Sequence, residues 1–122
     1  MYKMNQVLFI QTGTGSDLHG QDITKASVRA VEDAIYNNSM PGIKKSLPNQ
    51  QLENMKVNVK VGLPLDREKL DIAKVKEVIP YGSVNIEITE GGMATSSGII
   101  LEDKNDENDL MYIVNAAVEV GY

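Results

Sequence analysis

Met55-Lys56-Val57-Asn58-Val59-Lys60-Val61 alternates apolar and polar residues at every step. Such alternation marks a β-strand with one face buried and the other wet. Met55, Val57, Val59 and Val61 need a covering layer. Lys56, Asn58 and Lys60 need little cover, or another subunit. Gly62-Leu63-Pro64 ends the strand. A helix is predicted within residues 66–79, capped by Asp66 or Asp71, with an imperfect apolar face of Leu70, Ile72, Val75, Val78 and Ile79. Pro80-Tyr81-Gly82 stops it, and Val84-Asn85-Ile86-Glu87-Ile88 alternates again as a further strand.

Working outward, Val7-Leu8-Phe9-Ile10-Gln11 reads as a first strand, buried on both faces. Gly13 and Gly15 are expected to break it into a loop that runs to Gln21. A helix follows, capped at Asp22 or Thr24. Its apolar residues Ile23, Ala26, Val28, Ala30, Val31, Ala34 and Ile35 recur at spacings of three and four and make one wide buried face. Pro41-Gly42 closes that segment, and residues 43–54 read as an irregular connection. Beyond Gly92 the reading is a loop, a short strand at Ile99-Ile100-Leu101, a mobile acidic turn over 102–109, and a last strand from Leu110 to Val120.

The order β-α-β-α-β-β-β, with a short fourth strand, predicts a single α/β domain over residues 1–122. It is of the mixed α+β kind, one layer of helices on a mixed sheet. The uncovered face predicts a homo-oligomer, a trimer or a multiple of it among the options. The chain has 122 residues, enough for one core. A net charge of −5, from 17 acidic and 12 basic residues, argues against nucleic acid as a partner. One Phe, five Tyr and no Trp leave little for a base-stacking platform. No apolar run approaches the roughly 20 residues of a membrane span, and the start has no cleavage pattern of a secretory signal. With no cysteine, a cytoplasmic location is the expectation.

Candidate chemistry gathers in two loops. Gly13-Thr14-Gly15-Ser16-Asp17-Leu18-His19-Gly20 leaves a strand and enters a helix, where backbone amides can hold an anion. It is neither a dinucleotide fingerprint nor a P-loop, since Leu18 stands where the former needs glycine and no Gly-Lys-Ser/Thr follows. Asp17 and His19 would share a side of an extended loop, the carboxylate orienting the imidazole as a general base. His19 is the sole histidine. The second loop, Glu90-Gly91-Gly92-Met93-Ala94-Thr95-Ser96-Ser97-Gly98, offers Ser96 or Ser97 as a nucleophile or binding hydroxyl. Parallel first and third strands would bring both loops to one sheet edge, where open α/β sheets place ligands. Asn115, in the last strand, points to a pocket or satisfies a loop. The ligand-binding set is thus Gly13, Thr14, Gly15, Ser16, Gly20, Glu90, Gly91, Gly92 and Asn115, the catalytic set Asp17, His19, Ser96 and Ser97. The donor types make a structural zinc site a poor fit, and no metal or cofactor is assigned.

The octapeptide from Gly13 to Gly20 matches a G-x-G-x-D-x-H-G signature. With Asn38-Ser39-Met40-Pro41-Gly42, Pro80-Tyr81-Gly82, Glu90-Gly91-Gly92-Met93 and Val114-Asn115-Ala116-Ala117-Val118 followed by Val120-Gly121-Tyr122, it resembles a conserved hypothetical family found in bacteria and within longer plant proteins. That family has no assigned reaction, so the resemblance implies positions and no chemistry. The element order is also similar to the trimeric single-domain bacterial chorismate mutases, which implies architecture and sites between subunits; their arginine-rich dianion clamp is missing. Ser96-Ser97-Gly98 looks like the serine loop of the cyanuric acid hydrolase and barbiturase group, which implies serine–lysine chemistry over three or four residues.

Three functions follow as expectations. One is an enzyme acting on a small polar or anionic molecule through His19 and Asp17, with hydrolase-like chemistry as an option. The second is a noncatalytic metabolite-binding or regulatory module, and the third a structural, oligomer-forming protein.

Overall fold

The computed structural model describes residues 3–122; Met1 and Tyr2, part of the start read above, lie outside them. The elements are β1 (Val7–Asp17), α1 (Ile23–Tyr36), α2 (Ile43–Ser46), β2 (Lys56–Leu63), α3 (Ile72–Lys76), β3 (Ser83–Glu90), β4 (Met93–Ser96) and β5 (Leu110–Gly121). They form one mixed sheet in the order β1-β5-β2-β3. β5 runs antiparallel to β1 on one side and to β2 on the other, while β2 and β3 are parallel. β4 pairs with β5 at Leu110–Ile113, beyond the end of β2. The mixed α+β class expected above is what forms.

The core lies on one face of this sheet. Val57, Val59, Val61 and Leu63 of β2 and Val114, Ala116, Val118 and Val120 of β5 are buried there, together with Ile23, Ala26, Ala30, Val31 and Ala34 of α1. The last strand, not the first, is the hydrophobic centre of the sheet. Within it the small Ala116 sits under the helix layer and Asn115 faces outward.

Gly13 and Gly15 do not break β1, which continues to Asp17. Their missing side chains are a track for α1. A Cβ at Gly13 would lie 2.4 Å from Ala34 N and 2.5 Å from Ala30 O. One at Gly15 would lie 2.2 Å from Ala30 N and 2.5 Å from Ala26 O. Glycines two apart on the strand thus interlock with alanines four apart on the helix, since both repeats advance by nearly equal distances. The loop expected over 13–21 is therefore confined to the residues after Asp17.

α1 also closes the outer edge of β1. Asp33 accepts the Thr14 N–H at 2.9 Å, and Arg29 Nη1 donates to Ser16 O at 2.7 Å. Edge-strand amides and carbonyls left bare invite pairing with another chain. The helix begins at Asp22, whose carboxylate accepts from Lys25 N at 3.0 Å, while Asp17 accepts the Asp22 N–H at 2.8 Å. Asp22→Ala is expected to cost about 1 kcal/mol, the worth of one helix cap, read from the urea midpoint at unchanged slope.

Three other expectations are corrected. The predicted helix over 66–79 shrinks to Ile72–Lys76, capped by Asp71, after a 3₁₀ turn at Arg67–Lys69. Leu70 is extended between them, and of α3 only Val75 is buried while Ile72 is exposed. The short fourth strand is Met93–Ser96, not Ile99–Leu101, whose Ile99 and Ile100 are exposed. The acidic turn over 102–109 is tied down through Asp106, as described next.

Candidate functional site

Asp17 and His19 do not pair. Asp17 is buried at the end of β1 and serves Asp22 N and, at 3.7 Å, Arg29. His19 Nδ1 instead meets Asp106 Oδ2 at 2.8 Å, from a segment 87 residues away. The Asp106 side chain is 1% exposed and receives three further hydrogen bonds: Gly20 N at 2.6 Å, Gln21 Nε2 at 3.0 Å and Leu101 N at 2.8 Å. Burial by itself would raise this carboxyl, but the donors from Leu101, Gly20, His19 and Gln21 outweigh it and hold it at about 2. The carboxylate is therefore ionised and accepting, which places a proton on His19 Nδ1.

Gln21 completes this knot. Its Nε2 also donates to Leu110 O at 2.7 Å, and its Oε1 accepts from Glu107 N at 2.9 Å. Asp106 and Gln21 were missed in the sequence. Asp106 is one of several acids in a polar run, and nothing local marks it; the nearest signal was that a lone histidine needs a carboxylate, which Asp17 satisfied too readily.

The two candidate serines stand elsewhere. Ser96 Oγ bonds the Asp109 carboxylate, and Ser97 Oγ donates to Asp109 O at 2.9 Å. Gly98 N reaches the same carboxylate at 3.2 Å. Both serines serve the turn into β5. None of the cavities described is lined by His19, Ser96 or Ser97. Among the described residues no three His, Cys, Asp or Glu side chains converge as a metal site requires.

Of the remaining candidates, Gly13, Thr14, Glu90 and Asn115 meet, around a hollow on the sheet face away from the helices. The ladder register aligns Thr14 with Asn115, Asn115 with Gly62, and Gly62 with Thr89, one row across four strands. Gly62 has no side chain because Asn115 lies over it. A Cβ there would sit 2.1 Å from Asn115 Oδ1, and one at Gly91 3.1 Å from the same atom. The result is a hollow of about 550 Å³ whose polar lining includes Thr12, Thr14, Lys60, Thr89, Glu90 and Asn115, with Asp33 at the edge. A neighbouring cleft of about 760 Å³, at the ends of β2 and β3, shares Glu90 and includes Gly91 and Gly92. Gly15 and Ser16 line a groove outside β1, and Gly20 a small hollow beside Gln21.

Side chains on this open face bond one another. Asn85 Nδ2 donates to Asn58 Oδ1 at 2.8 Å, Asn58 Nδ2 to Glu119 Oε1 at 2.9 Å, and Lys60 Nζ lies 3.5 Å from Glu119. The glycine amides are not a free anion cradle. Thr14 N points outward to Asp33, so the alternation of an antiparallel ladder turns the amides of Gly13 and Gly15 inward to β5.

Fold and site define a class: a mixed α+β domain with helices on one sheet face and a polar hollow on the other. The chain belongs to the Lin0512_fam family of conserved hypothetical proteins, whose model matches residues 7–120. It is also similar to an FtsZ-like protein of unknown function from Nostoc punctiforme PCC 73102, at 36% sequence identity and a TM-score of 0.74, with 97% of each chain covered. Among curated proteins none matches. The resemblance to a conserved hypothetical family holds, and no comparison supplies a reaction. Among the described residues no helix is long and apolar enough to cross a membrane.

Proposed function

We propose that this protein is a noncatalytic binding module for a small polar metabolite, held in the hollow over the Thr14–Asn115–Gly62–Thr89 row. One observation carries the reading. Polar side chains of four strands converge on a cavity within the usual range for ligand sites, while the Asp106–His19 pair lines none of the cavities described. The lining mixes one ammonium, Lys60, with the carboxylates of Asp33 and Glu90. A zwitterion or a neutral polyol suits it better than a multiply charged anion.

The protein acts in the cytoplasm as a homo-oligomer, in this reading. Support comes from its lack of cysteine and from a sheet face that the helices leave open. The structural neighbour described as FtsZ-like lends the assembly role some weight as a second reading, as do the exposed Met93, Ile99 and Ile100.

A thermal-shift screen of amino acids, sugars and small organic acids tests the proposal. A ligand at a hundredfold its Kd adds about 2.7 kcal/mol of stability. Lys60→Met and Thr14→Val are expected to remove that response, and His19→Ala to leave it intact with no turnover in either protein. Turnover that His19→Ala abolishes would restore the enzyme. A response indifferent to Lys60 and Thr14 would move the site elsewhere.

A further inference from the structure

We propose that the protein has a separate binding site for a small, mainly apolar molecule with one hydrogen-bond donor. It is the cavity below the C-terminal end of α1, where the donor meets Gln11 Oε1. The site lies on the helix-covered face of the sheet, so it does not rest on the hollow described above.

The strand alternation places Gln11, Gly13, Gly15 and Asp17 toward α1. The helix rests directly on the two glycines and ends at Tyr36. Beyond that end the layer opens into a cavity of about 370 Å³, floored by Met55, Val57, Val118 and Val120. Ile35 and Ile79 also line it, and the exposed Tyr36 and Tyr81 mark where it reaches solvent.

Gln11 is 6% exposed, and its Oε1 has no hydrogen-bond partner. Its register partner on the same face is Val118, and β2 continues that row with Val59. An amide there is costly to the free protein, since a buried acceptor loses its water and gains nothing in return. The other such atom among the described residues, Ser27 Oγ, lines none of the cavities described. Asn38 is the other amide lining the cavity, and its Nδ2 is already given to Ala34 O. A molecule with an apolar body and one O–H or N–H satisfies both features at once: it fills the valine floor and closes the open acceptor.

Phenol and toluene are the probes, followed through methyl proton–carbon NMR spectra. Phenol is expected to shift the methyls of Val57, Val118 and Ile79 saturably. In Gln11→Leu the phenol-to-toluene affinity ratio should fall about tenfold, because the hydroxyl is then buried without an acceptor. The free Gln11→Leu protein should melt above wild type. If it does not fold, Gln11→Met supplies the same comparison. An unchanged ratio overturns the role of Gln11. Shifts confined to other methyls, or no saturable shift with either probe, overturn the site. Shifts of these methyls on raising protein concentration alone mean that a second copy fills the cavity, and overturn it too.

Discussion

Gly15→Ala is expected to destabilise the protein by about 3 kcal/mol or more, a large part of the stability of a domain this size. Gly15 needs no unusual backbone angle, so the effect is steric. The added methyl would stand 2.2 Å from Ala30 N, 2.5 Å from Ala26 O and 2.6 Å from Arg29 C. These are backbone atoms in the middle of a helix. No rotamer change relieves the overlap, and α1 must move off the strand as a body. That movement also stretches the Asp33–Thr14 and Arg29–Ser16 bonds that close the β1 edge. Gly42→Ala is the control: nothing lies within 4 Å of its added methyl, and the change should stay within about 0.5 kcal/mol. Urea unfolding of both variants measures the contrast. Equal midpoints would mean that α1 does not rest on β1. A wild-type midpoint with altered ligand response would favour the anion-holding loop that the sequence suggested.

This pair of glycines shows how far the sequence can be read. Alternation in 55–61 and 84–88 located β2 and β3 because period two has one structural meaning when a face is buried. The alanine-rich stripe located α1 for the matching reason. Gly13 and Gly15 carried the same symbol as a turn, yet their role is set by Ala26, Ala30 and Ala34. Local patterns do not encode which helix will lie on which strand. The position of β5 between β1 and β2 was invisible for the same reason, since pairing order is a long-range choice. The candidate site divided along that line. Thr14, Glu90 and Asn115 came together because parallel β2 and β3 and the antiparallel β5 share one edge. Asp17 and His19 separated because a carboxylate 87 residues away serves the imidazole and Asp17 serves the helix start.

Asp106→Ala is expected to lower the melting temperature more than Asp103→Ala or Asp109→Ala does. Truncation strands the Gly20 and Leu101 amides, one Gln21 donor and the His19 ring together, so the 18–21 corner and the 101–109 segment loosen as a unit. Amide hydrogen exchange should accelerate in those two segments and little elsewhere. The same carboxyl sets an acid limit whose sign is fixed by its direction of shift. Folded Asp106 titrates at about 2, against an unfolded value of 3.8. Between those values the unfolded chain binds the extra proton, so stability rises with pH there. The contribution is complete above the unfolded value and disappears as pH falls through the folded one. Asp106→Asn removes this titration and also turns an amide N–H toward two of the four donors, whichever way the amide lies. Its melting temperature should be lower near neutrality, and the gap to wild type should narrow as pH drops from 4 to 2. Carbon NMR of the Asp106 carboxyl gives the midpoint directly. A midpoint at the ordinary aspartate value, or a gap that stays constant over that window, would mean the four donors do not hold this carboxylate.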